Sequence, residues 1–85
     1  MKTIREYRLR KELVGNQTCY ITKDAEVVGI EDLDYNEVAL FALCDSIESA
    51  TDLRTFRLCT TYETVYDDTV AYIGHIGTLH ILEIL

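Results

Sequence analysis

Arg54 and Arg57 are the last two cations of the chain, and both fall in the run Leu53–Tyr62, LRTFRLCTTY. A guanidinium offers a planar fork of N–H donors that fits a phosphate or a carboxylate. Thr60 and Thr61 follow with hydroxyls, and Tyr62 adds a ring on which a base can stack. Arg57, Thr60, Thr61 and Tyr62 therefore form the best local set for a nucleotide. The competing use of Arg54 and Arg57 is to neutralise carboxylates across strands. Spacing alone leaves both uses open.

Tyrosine is abundant, with six residues against two Phe and no Trp. Tyr66 and Tyr72 follow the arginine strand closely enough to join its set. Such rings suit an oligomer interface, a protein-binding surface or a nucleobase platform.

Nothing in the chain reads as catalytic machinery. His75 and His80 have no neighbouring Ser or Cys in a nucleophile motif and read as hairpin histidines held by local hydrogen bonds. Asp67 and Asp68 are adjacent, so in an extended segment they point apart and cannot share an acid–base task. Cys19, Cys44 and Cys59 lie in apolar runs, 25 and 15 residues apart, without a CxxC pair. They read as buried, reduced thiols, and no metal site is expected. The expectation is a binding protein that is not an enzyme and carries no cofactor.

Charge is unevenly placed. Residues 1–11 hold five basic groups and one acid, a sum of +4, while residues 12–85 hold three basic groups and fourteen acids, −11; together these give −7. That body would repel a long nucleic acid, but a few oriented donors can still hold a small anion. Eighty-five residues make one domain, 1–85, which as a monomer would be marginal. The hydrophobic fraction of 48% suggests that apolar surface is buried between copies, so a homo-oligomer is expected, with a tetramer favoured. There is no apolar h-region near the N-terminus and no run long enough for a membrane helix, which points to a soluble intracellular protein.

These residues need strands to position them. Thr3–Leu9, Thr18–Thr22, Ala25–Ile30, Val38–Cys44, Leu53–Tyr62, Val70–Ile76 and Leu79–Leu85 are apolar, β-branched or aromatic runs separated by turn signals. Gly29 suggests a bulge, Gly77-Thr78 a two-residue hairpin, and Lys23-Asp24 a tight connection. Val38–Cys44 is apolar on both faces and so calls for a second layer or a second subunit. Asp45–Asp52 allows one helical turn, with Asp45 or Ser46 capping and Glu48 following. The fold class is all-β, a small antiparallel sandwich or barrel-like meander of six to seven short strands with at most one short helical turn.

In succession, Met1-Lys2-Thr3-Ile4 with Tyr7 and Leu9, Lys23-Asp24-Ala25-Glu26-Val27-Val28, Ala39-Leu40-Phe41-Ala42-Leu43 before Asp45, Arg54-Thr55-Phe56-Arg57, Tyr72-Ile73-Gly74 and Leu79-His80-Ile81-Leu82-Glu83 span most of the chain. In this order they resemble a family of short, uncharacterised phage-encoded β-proteins. That family carries a Gly-Thr-Gly-His-like turn after its arginine strand, where this chain has Thr60-Thr61-Tyr62-Glu63. Small oligomeric phage proteins of this kind also look like viral sponges, which bind cyclic nucleotide alarm signals without cleaving them. The resemblance implies a cyclic-dinucleotide sponge in the host cytoplasm that sequesters a signal such as cyclic GMP-AMP and blunts CBASS-type immunity. Arg54, Arg57 and either Arg5 or Arg8 of a neighbouring copy would then surround two phosphates, Tyr62, Tyr66 or Tyr72 would stack on the bases, and Thr60 or Thr61 would read their edges. The alternatives are an acidic inhibitor that mimics DNA and blocks a host defence nuclease, or a structural or accessory phage protein.

Overall fold

A computed structural model describes residues 1–11, 15–34, 36–45 and 50–85, with the backbone alone for residues 50 and 51. Seven strands follow one another along the chain: β1 (Lys2–Arg10), β2 (Gln17–Thr22), β3 (Glu26–Asp32), β4 (Glu37–Asp45), β5 (Ala50–Thr60), β6 (Val70–Ile76) and β7 (Leu79–Ile84). They form two sheets, β1-β4-β3 and β2-β5-β7-β6, in which every ladder is antiparallel. Among the described residues there is no helix. The all-β antiparallel reading therefore holds.

Alternation of side chains puts one face of each strand into the core. In β1, Thr3, Arg5, Tyr7 and Leu9 turn inward, while Lys2, Ile4, Glu6, Arg8 and Arg10 turn outward. In β4, Val38, Leu40, Ala42 and Cys44 join the core with Leu9, Ile21, Phe56, Leu58 and Ile81. Each large aliphatic or aromatic side chain buried this way contributes about 1.5–3 kcal/mol. The molecule measures 40 × 29 × 16 Å, a flattened two-layer body.

The sheets meet along both edges, β1 against β2 and β3 against β6, without a backbone ladder at either seam. At the first seam side chains replace the ladder. The Gln17 amide accepts from the Arg10 backbone N–H at 2.8 Å and donates to the Arg10 carbonyl at 2.6 Å. Buried Thr22 receives the Arg5 guanidinium at 3.1 Å and donates its backbone N–H to the Tyr7 hydroxyl at 3.3 Å. At the second seam Gly74 lets β6 approach β3, because a Cβ there would lie 3.0 Å from Ile30 Cδ1.

Three expectations change. A simple meander is not formed: β1 pairs with β4 and β2 with β5, so only β3–β4 and β6–β7 are sequential hairpins. The pairing of distant strands lets both sheets share one core, which a seven-strand ribbon in chain order would not require. The helical turn loses its frame, since Asp45 belongs to β4 and Ala50–Asp52 to β5; Ser46 and Glu48 lie outside the described residues. The arginine strand stops at Thr60, two residues early, because Tyr62 adopts φ +73° and breaks the extended backbone. The bulge near Gly29 is present, with Val28 as the extra residue between Val27 and Gly29. Gly77, at φ +57°, opens the β6–β7 hairpin as its position requires.

Candidate functional site

Arg54 and Arg57 are three residues apart on β5, and strand alternation sends them to opposite sides of the sheet. Arg54 shares the core face. Its Nε and Nη2 donate to the two carboxylate oxygens of Glu83, each at 2.6 Å, and Nη1 donates to the Ala25 carbonyl at 2.6 Å. Glu83 lies opposite Phe56 on β7 and is only 7% exposed. The Glu83 hydrogen bonds push the Arg54 guanidinium above its already high range, against the opposing effect of burial. Each of the three Arg54 nitrogens donates a hydrogen bond within the protein.

Arg57 occupies the outer face, in the same cross-strand row as Leu82 and Tyr72. A connection of residues 61–69 leaves the end of β5 and returns along the outer face to β6, which runs parallel to β5 on the far side of β7. Along it Glu63, Val65 and Asp67 are half-buried, whereas Tyr62, Thr64, Tyr66 and Asp68 are exposed. That alternation marks an extended strap with one side turned to the sheet. The strap accounts for the burial of Cys59 and Leu82, which lie on an outer face. Arg57 Nη2 donates to Glu63 at 3.0 Å, and Glu63 also accepts from the Thr60 backbone N–H at 3.3 Å. The Arg57 hydrogen bond, followed by that of Thr60, holds the Glu63 carboxyl below its usual range. Arg57 Nε is buried and has no acceptor.

The strap begins with a turn, Thr60-Thr61-Tyr62-Glu63, closed by the Glu63 N–H donating to the Thr60 carbonyl at 3.1 Å. A positive φ at its third position, Tyr62, is the mark of a type II turn, which favours glycine there. Holding tyrosine there costs on the order of 1 kcal/mol, and the Tyr62 ring lies fully in solvent, so burial returns nothing.

Beside this turn, His80 is clasped by two hydroxyls. Thr61 Oγ1 lies 2.8 Å from Nε2 and the Tyr72 hydroxyl 2.9 Å from Nδ1. His75 is the cross-strand partner of His80, with ring centroids 5.9 Å apart. Thr61, Tyr72, His75 and His80 thus present hydroxyls, imidazoles and an aromatic ring on one outer surface; exposed Tyr62 lies within the strap's first turn and exposed Tyr66 three residues after it. Residue types alone did not join the histidines to this set. The signal was the Gly77-Thr78 hairpin, whose two-residue loop fixes the register that pairs His75 with His80.

Of the residues expected to bind, Arg57, Thr61, Tyr62, Tyr66 and Tyr72 come to this face or its strap; Thr60 ends β5 in the core-side row of Phe56 and Leu58, and its hydroxyl reaches Glu63 at 3.5 Å. Arg54 does not come to this face either, because it is on the core side. Arg8 is on the outer face of the other sheet, 3.1 Å from Glu6 and 3.6 Å from Glu37. A polar cleft of about 270 Å³ lined by Lys2, Lys23, Asp24 and Asp45 opens at the opposite end of β5. Its two lysines face two aspartates, which gives it no preference for an anion. Among the described residues no three His, Cys, Asp or Glu side chains gather to hold a metal ion. No helix among them is long and apolar enough to cross a membrane. No protein-family model, curated protein or solved structure matches the chain.

Proposed function

We propose that the protein is a non-enzymatic binding module that captures a cyclic dinucleotide on the outer face of β5-β7-β6, and that it acts as a homo-oligomeric phage sponge against CBASS-type immunity. The observation that carries this reading is Tyr62. A fully exposed ring held on a strained backbone contributes nothing to folding, and strain of this kind collects where a residue serves binding. Tyr62, Tyr66 and Tyr72 offer faces for bases, while Thr61 and His80 offer donors and acceptors for base edges. Arg57 supplies the phosphate contact. Glu63 occupies the guanidinium in the unliganded protein as a carboxylate stand-in for phosphate, and an incoming phosphate displaces it and reaches the unsatisfied Nε.

Isothermal titration with a panel of cyclic dinucleotides tests the reading. Saturable binding without linear product is expected, and Arg57→Ala should abolish it while leaving the fold intact. Glu63→Gln should tighten it, because the competing carboxylate is lost. Tyr62→Gly separates fold from function, with stability kept or raised and affinity lowered. No heat with any member of the panel sinks the proposal; linear product would make the protein a nuclease.

A second reading rests on a separate observation. Asp24, Glu26, Glu31, Asp32 and Asp34 are all exposed and lie on β3 or the turns flanking it. Such a line of acids suits an inhibitor that occupies the basic cleft of a host nuclease. Charge reversal at Glu26 and Glu31 would then abolish nuclease inhibition and leave nucleotide titrations unchanged.

A further inference from the structure

The outer face of β1-β4-β3 has no strap. Its centre is the outward side of β4, where Phe41 and Leu43 are half-buried, and it is continued by Ile4 on β1, 55% exposed, and Val28 on β3, 51% exposed. Outward charges divide by strand. β1 turns Lys2, Arg8 and Arg10 outward against one acid, Glu6, whereas β3 turns out Glu26 and Glu31 and no cation. Register sets them in rows across the sheet: Ile4 with Leu43 and Glu26, Glu6 with Phe41 and Gly29, and Arg8 with Ala39 and Glu31.

We infer that this face binds a second copy of the chain about a two-fold axis parallel to β4. The arrangement of charge selects that axis. Rotation about a line along β4, lying between two facing sheets, sets β4 on β4 and places β1 of each copy over β3 of the other. Arg8 of one copy then faces Glu31 of its partner, twice by symmetry, around an apolar centre of Phe41 and Leu43. A two-fold axis across the strands would instead set basic β1 on basic β1 and acidic β3 on acidic β3. Sheets packed face to face cross at about 30°, so strand ends splay apart and leave Glu37 and Asp45 at a wet rim. The face is small, roughly 14 Å across three strands and 30 Å along nine residues, which places the association among weak interfaces. It gives a surface to the self-association in the reading above and rests on nothing in its ligand.

The test is the mass of the nucleotide-free protein by sedimentation equilibrium between 1 and 200 µM (about the range for a weak interface). Wild type should dimerise and Phe41→Glu should remain monomeric with an unchanged circular dichroism spectrum. Arg8→Glu and Glu31→Arg should each weaken the dimer by about tenfold or more, since each sets like charges face to face. Mixing these two variants should restore association to near wild-type strength, because each contact then joins opposite charges between chains. A wild type that stays monomeric at the highest concentration overturns the interface. Dimerisation without recovery in the mixture overturns the axis. Because no nucleotide is present, neither failure bears on ligand capture.

Discussion

Arg54 and Arg57 belong to one strand, each faces a single glutamate, and yet the two pairs do different things. Arg54 meets Glu83 on the core side through two parallel hydrogen bonds, with the Ala25 carbonyl completing the set. Arg57 meets Glu63 on the outer side through one hydrogen bond, and its own Nε goes unsatisfied. In the first pair both groups are fixed by strands within one sheet. In the second the glutamate belongs to a strap. A two-pronged pair between rigid elements locks a fold. An incomplete pair with one partner on a connection can exchange that partner for a ligand.

The comparison is broken most directly at Glu83. Replacing it with alanine leaves the Arg54 guanidinium inside without a counter-charge, and urea unfolding should show a loss of about 3–5 kcal/mol. Arg54→Met with Glu83→Leu should recover most of that loss, since it removes the desolvated charges together with their attraction. Arg57→Ala should cost clearly less in the same assay, because Glu63 can turn to water. An equal loss for Glu83→Ala and Arg57→Ala would end the distinction between lock and exchange site.

Acid offers a milder perturbation. The carboxyl of Glu63 is held below its usual range, so its stabilising contribution is complete above the unfolded carboxylate value of about 4.3. It is lost as pH falls through the lower folded value. Hydrogen exchange at the Thr60 and Glu63 amides, corrected for intrinsic rates, should accelerate over that window while core amides of β4 and β7 stay protected. Simultaneous loss everywhere would mean that the strap is not a separable unit.

The smallest expected effect is at Cys59. Burial foremost, and then the Glu63 charge, push its thiol up from the ordinary value. Alkylation of Cys59 near neutral pH should be slow, and Glu63→Gln should quicken it by loosening the cover and removing the nearby charge. An unchanged rate would mean that Val65 and the rest of the strap hold the cover without Glu63.

Much of the fold was legible because strands announce themselves locally. Val70–Ile76 and the Gly77-Thr78 turn needed only β-branched residues and one glycine. The apolar run at β4 declared two apolar faces; Val38, Leu40, Ala42 and Cys44 are buried inside, while Phe41 and Leu43 turn outward and are only half-buried. The arrangement of the site was less legible. Tyr62 looked like the end of a strand, since its β propensity agrees with one, and only the turn hydrogen bond between Glu63 and Thr60 reverses the chain there. Glu63 looked like one acid among many in a polar loop.

By itself the sequence determined that this is a small all-β domain, and it assigned the two arginines to opposite faces of one strand. Period-two alternation is a property of the backbone and needs no partner. Tertiary structure alone decided which carboxylate each arginine meets. Those contacts join residues 29 positions apart for Arg54 and Glu83, and span a strap for Arg57 and Glu63. They depend on β5 pairing with β7 and on a crossover passing over the outer face, neither of which any local pattern encodes. The same long-range pairing set β1, with its surplus of cations, and acidic β3 on either side of β4, and so gave one face the charge pattern that a two-fold partner can match.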